Sequence, residues 1–102
     1  MKLVYLAGAR EDQREAVAWY RKESQALARR FMTDREETLE RIARSPFQLP
    51  LTGRGCRKAR LSVFPYSIIF FQLPSSVLIV AVAHDSRRPE YWHKRPIPTV
   101  AK

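Results

Sequence analysis

The chain has 102 residues, 45% of them hydrophobic, and a formal charge of +9. That suits one domain with a core of its own, is too short for two, and is too apolar for wholesale disorder. The charge is lopsided: residues 1–50 net +2, whereas residues 51–102 carry nine Lys or Arg against only Asp85 and Glu90, a field that favours RNA, DNA or an acidic protein partner.

In chain order, KLVYLAGA (residues 2–9) opens as a short strand of β-branched and aromatic residues that ends at Gly8. It faintly mimics a signal peptide, but Leu3–Leu6 is far shorter than a working apolar region and charges follow at once, so a cytoplasmic location is expected. REDQREAVAWYRKES (residues 10–24) reads as a helix whose acids Glu11, Asp12 and Glu15 sit in the first turns, where the helix dipole favours them. Ala16, Val17 and Tyr20 fall on one face. Ser24 is placed to cap a second helix, in which Leu27, Ala28, Phe31, Met32, Leu39, Ile42 and Ala43 recur at helical spacing. Asp34, Glu36, Glu37 and several arginines cover its other faces, and Pro46 stops it. The two helices should form an antiparallel hairpin.

FQLPLTGRGCRK (residues 47–58) has a proline, two glycines and no periodicity, and is expected to be a loop. Its Gly53-x-Gly55 is only a weak phosphate-loop hint, since no Gly-Lys-Ser/Thr follows. Three strands come next. KARLSVF (residues 58–64) alternates, with Ala59, Leu61 and Val63 on one face and Lys58, Arg60 and Ser62 on the other. Pro65 breaks it, YSIIFFQL (residues 66–73) returns, and PSS makes a turn. VLIVAVAH (residues 77–84) is apolar on both faces, which predicts a central strand covered by helices on one side. The order β-α-α-β-β-β predicts an α+β domain, a helical hairpin packed on a small, mainly antiparallel sheet. The longest apolar run, Val77–Ala83, is seven residues, and a membrane span needs about 20. Cys56 is the one cysteine, and with only His84 and His93 it makes no ordinary zinc site without acidic help, so neither metal nor cofactor is expected.

EAVAWY, LARRF with LERIARSP, FPYSIIFF and AVAHDSRRPEYWHKR, in this order and spacing, resemble the RelE/ParE toxin superfamily of bacterial type II toxin–antitoxin modules. The resemblance covers about Leu3 to Arg95. It implies a single toxin-like domain over residues 1–102, with 95–102 as a flexible tail, and a growth inhibitor neutralised by a cognate antitoxin that wraps it. RelE-like members cleave mRNA in the ribosomal A site without a metal, whereas ParE-like members poison DNA gyrase. Operator DNA would be reached only through the antitoxin, and no membrane is involved.

Metal-free RNA cleavage needs a base for the 2′-OH, charge against the scissile phosphate, and a proton for the leaving oxygen. On the resemblance, Lys58 and Arg60 correspond to a basic pair of RelE-like toxins. Arg87 or Arg88 falls near an arginine after the last strand, and Tyr91 near a C-terminal tyrosine. His84 or His93 supplies an imidazole, which titrates near neutrality. The nuclease reading therefore uses Arg60, His84, Arg88 and Tyr91, and the target-binding set is Lys58, Arg60, Arg87, Arg88, Tyr91 and His93. A plain packing role stands beside each: His84 as a hydrogen-bond partner at the sheet's end, Tyr91 and Trp92 as cover for the sheet, Trp19 and Tyr20 as core or hairpin contacts. RelE-like toxins place an arginine just after the tyrosine that starts the third strand, and here Ser67 follows Tyr66. That departure, with the Phe-Pro-Tyr turn, puts the ParE-like, plasmid-stabilisation branch first. The ribosome-dependent endoribonuclease comes second, and an inactive relic acting only in an antitoxin–operator complex third.

Overall fold

A computed structural model of the chain describes residues 2–98. The elements run β1 (Lys2–Tyr5), α1 (Ala7–Glu23), α2 (Gln25–Arg44), a 3-10 turn (Pro46–Gln48), β2 (Arg57–Arg60), β3 (Tyr66–Gln72) and β4 (Ser76–His84). The four strands form one sheet in the order β1-β4-β3-β2. Both β2–β3 and β3–β4 are antiparallel, while β1 lies parallel to β4, a pairing whose long crossover runs through both helices and the other two strands. The expected α+β architecture is therefore present, with one parallel pair at the edge.

The first helix starts earlier than expected. Leu6 keeps an extended backbone, and its carbonyl accepts from Ala9 and Arg10 at 3.0 and 3.1 Å, so the helix begins at Ala7 with Gly8 inside its first turn. Glu11, Asp12 and Glu15 consequently miss the first turn, and Ala9, Asp12 and Ala16 form the buried stripe. Ser24 caps α2 as expected, its Oγ accepting from the Leu27 N–H at 2.9 Å. Tyr20 enters an aromatic cluster, 4.8 Å from Phe64 and 5.3 Å from Phe31. Trp19, expected in the core or the hairpin contact, is instead 63% exposed.

The second strand is shorter than its alternation suggests. It ends at Arg60, and Val63, expected beside Ala59 and Leu61, is 67% exposed. The cause is Asp34, which was expected on an outer face of α2 and is buried. Its carboxylate accepts from the backbone N–H groups of Ser62, Val63 and Phe64 at 3.1, 2.8 and 2.9 Å, which holds the chain in a turn before Pro65.

Strand β4 is buried on both faces. Val77, Ile79 and Val82 face the helices, while Leu78, Val80 and Ala81 face away. The alternation slips at a bulge, where Ile69 pairs with Ala81 but Phe70 pairs with Ile79, leaving Val80 as the extra residue. The face away from the helices is covered by the C-terminal segment, with Trp92 and Ile97 buried against Val80, Ala81 and Cys56. The tail expected from residue 95 is thus packed at Arg95 and Ile97, and residues 99–102 of that expectation lie outside the described residues.

Candidate functional site

Strand β4 has nine residues and β1 only four, so β4 outlasts its parallel neighbour. Pairing runs from Lys2–Ser76 to Tyr5–Ile79, and the Leu6 N–H closes it on the Ile79 carbonyl at 3.0 Å. Beyond that point the edge of β4 needs other partners, because buried backbone groups without them are costly. Asp12 from α1 accepts the Val82 N–H at 3.0 Å, and Arg95 donates to the Val80 carbonyl at 2.9 Å. Arg95 also grips Asp12 with both arms of its guanidinium, at 2.7 and 3.0 Å, the bidentate geometry that suits a carboxylate. Gly8 makes room for this: a Cβ there would lie 2.6 Å from the Arg95 Nε.

Two residues from the basic patch join the same carboxylate. The Tyr91 hydroxyl donates to Asp12 at 3.0 Å, and an Arg87 Nη lies 3.7 Å from it. The Arg87 guanidinium also sits 3.7 Å from the centre of the Tyr91 ring. Burial, then the charge and hydrogen bond of Asp12, push the Tyr91 phenol far above its ordinary value. Tyr91 therefore stays protonated and engaged, a poor choice for a base.

Next to this knot is a cleft of about 290 Å³ on the face of the sheet away from the helices, where β2, β3 and β4 meet the segment after His84. Lys58 and Arg60 alternate along β2 and both point into it, paired in register with Ile69 and Ser67. Arg60 reaches Asp85 at 3.0 Å, yet its side chain is 71% exposed. His84 ends β4 with its ring edge-on to Tyr66, centroids 5.0 Å apart. Its Nδ1 accepts from the Ser86 N–H at 3.0 Å, which assigns the proton of the neutral ring to Nε2. Burial and then Tyr20 push the Tyr66 phenol up to about 12. Arg88 is only loosely held, its side chain 87% exposed with Glu90 no nearer than 4.0 Å. Ser67 lies on the cleft wall, 2% exposed, and among the described residues its Oγ has no hydrogen-bond partner.

Six of the residues singled out in the sequence, Lys58, Arg60, His84, Arg87, Arg88 and Tyr91, line this one cleft. His93 does not. Its ring stacks edge-on against Trp92 at 4.4 Å and lies over Gly53, and its carbonyl accepts from Arg54. Gly53-x-Gly55 is a tight turn, with Arg54 and Gly55 at φ 59° and 74°, and it leads into β2 rather than a helix, so it offers no phosphate loop. Among the described residues no group of three or more His, Cys, Asp or Glu side chains could hold a metal. No helix among them is long and apolar enough to cross a membrane. The sequence reading missed Asp12, Arg95, Ser67 as a hydroxyl, and Asp85. Only Asp12 carried a signal, a charge on the Ala9–Ala16 stripe.

The family model for the ParE toxin of type II toxin–antitoxin systems, parDE, matches residues 3–89. The chain belongs to the ParE toxin family. Among solved structures, a chromosomal ParDE TA system from P. aeruginosa is similar with a TM-score of 0.72 and 19% identity, over 82% of this chain and 95% of that one. At that identity the likeness concerns the fold, and it agrees with two helices on a four-stranded mixed sheet. No curated protein matches the sequence. In this ParE-family chain the family match stops at Pro89, so Tyr91, Trp92 and Arg95, which seal the far face of the sheet, lie beyond it.

Proposed function

We propose that the chain is the growth-inhibiting toxin of a type II module, that a cognate antitoxin neutralises it, and that DNA gyrase is its target, met through the cleft. The observation that carries the target is the engagement of Tyr91 and Arg87 by Asp12. A nuclease needs mobile protons and free cations at the scissile phosphate. Here the phenol is held neutral against a buried carboxylate, one arginine is stacked on it, and a serine stands where RelE-like toxins carry an arginine. The cations left exposed, Arg60 and Arg88, suit gripping a target more than cutting RNA. The antitoxin half rests on the +7 charge of residues 51–102 and on the exposed Phe47, Leu51 and Val63, which together suit an acidic segment that folds as it binds. Operator DNA would then be contacted by the antitoxin.

Purified toxin added to gyrase and plasmid is expected to stop supercoiling or leave covalently trapped, cleaved DNA, and to leave ribosome-bound mRNA intact. Primer extension showing A-site cuts would put the endoribonuclease reading first. Coexpression with the product of the neighbouring gene is expected to give one species on gel filtration, and two separate peaks at micromolar concentration would remove the antitoxin half.

A further inference from the structure

We infer that the cleft is a built site for one phosphate group, bound through the Ser67 hydroxyl with the Lys58, Arg60 and Arg88 cations, and that it holds a nucleic-acid backbone without cutting it. Ser67 sits inside β3, 2% exposed, and its hydroxyl has no hydrogen-bond partner among the described residues. A buried donor on a cleft wall is satisfied only by something that enters the cleft. Directly across the β2–β3 ladder is Arg60, and Lys58 stands two residues away on the same face. Arg60 already holds an oxyanion, the Asp85 carboxylate at 3.0 Å, so its guanidinium is oriented for such a group, and its 71% exposure leaves it free to exchange one for another. Arg88 closes the rim from the segment after β4.

Phosphate fits these donors better than carboxylate does. A hydroxyl, an ammonium and two guanidiniums approach from three chain segments, which suits a tetrahedral group with several oxygens, whereas a carboxylate offers two in one plane. A volume of about 290 Å³ admits a phosphate and part of its sugar but no helix or strand of a protein partner. Cutting is disfavoured because the Tyr91 phenol beside the site is bound to Asp12. The inference deepens the gyrase reading, since gyrase works on DNA, and it rests on that reading only for which face meets the target.

The test is direct binding of purified full-length toxin to a short labelled DNA duplex and single strand by fluorescence anisotropy across a salt series. Ser67→Ala is the decisive variant, because it alters no charge. It is expected to weaken binding about tenfold, the worth of a hydrogen bond to a charged group, while the salt slope stays that of the parent. Its melting temperature is expected to match or exceed the parent's, since the hydroxyl makes no hydrogen bond to the described residues. Asp85→Asn is expected to tighten binding by freeing Arg60. Arg88→Ala is expected to weaken it and flatten the salt slope by about one. Parent-like binding by Ser67→Ala would overturn the inference and leave only diffuse attraction to a basic surface. A phosphorus NMR titration with inorganic phosphate and a nucleoside monophosphate separates the sources. A Ser67-dependent shift with these alone, and none with DNA, would overturn the backbone and assign a free phosphate ester. Equal Ser67 dependence for an Asp/Glu-rich peptide would overturn phosphate itself, and strand scission of the DNA, or of a matching RNA, would overturn binding without cutting. Loss of gyrase inhibition alone bears on the target and leaves these binding results unchanged.

Discussion

Arg87 and Arg88 are neighbours in sequence with different work. The Arg87 guanidinium lies 3.7 Å from the Tyr91 ring centre and 3.7 Å from Asp12, whereas the Arg88 side chain is 87% exposed. Removing an exposed arginine with no firm partner changes stability by no more than about 0.5 kcal/mol. Arg88→Ala is therefore expected to melt like the parent and to lose growth inhibition on induction. Arg87→Ala is expected to lower stability by about 1 kcal/mol through the lost ring contact. Circular dichroism melts on both variants, with growth curves at equal expression, check this. A fully toxic Arg88→Ala would place the target contact elsewhere. From the sequence both arginines belonged to one basic patch. Their division depends on where Tyr91 points, and Tyr91 is fixed by Asp12, 79 positions earlier in the chain.

At the scale of elements, periodicity was a good guide wherever the partner was the core, and a poor one wherever it was a single polar group far along the chain. The second helix, its Ser24 cap and the two long strands follow from local patterns that packing then reinforces. Asp34 and Gly8 broke the rule for the same reason. Asp34 looked like a solvated helix position because the three N–H groups it accepts lie 28 to 30 residues on. Gly8 looked like the end of a strand because its reason, the Arg95 guanidinium, is near the other terminus. This gives a cycle with a change of sign. Within a helix Gly→Ala ordinarily stabilises by up to about 1 kcal/mol. Here the new methyl would sit 2.6 Å from the Arg95 Nε and drive the guanidinium off Asp12, so Gly8→Ala is expected to lower the melting temperature. In an Arg95→Ala background the obstruction is gone, and the same substitution is expected to raise it. Equal shifts in the two backgrounds would mean that Gly8 and Arg95 do not meet.

Across the whole molecule, burial on both faces of the sheet leaves a set of weak acids that the fold keeps neutral. The Cys56 thiol, under the C-terminal cover, is pushed up to about 11 by desolvation, against the attraction of Arg54. The Tyr66 phenol, at the helix-facing end, is pushed up to about 12 by desolvation and then by Tyr20, and Tyr91 goes higher still. For an acid whose folded pKa is raised, the unfolded chain loses its proton first. The stabilisation is then complete below the unfolded pKa and is lost as pH rises towards the folded one. The unfolded thiol ionises near 9.0 and the phenols near 10.0, so stability should hold up to about pH 9 and decline from there to about pH 12. Each proton released on unfolding adds a slope of at most about 1.4 kcal/mol per pH unit. Thermal melts in steps from about pH 8 to 12 are expected to show this fall, which Cys56→Ala should delay and Tyr66→Phe should make shallower above pH 10. Tyr91→Phe also removes a hydrogen bond to Asp12, so its melting temperature should start lower and then decline less steeply. The three groups lie on opposite faces of the sheet and report on both layers together. A melting temperature that stays level through this range, in the parent and in Tyr66→Phe alike, would mean that water reaches these groups and that the C-terminal cover does not close over the sheet in solution.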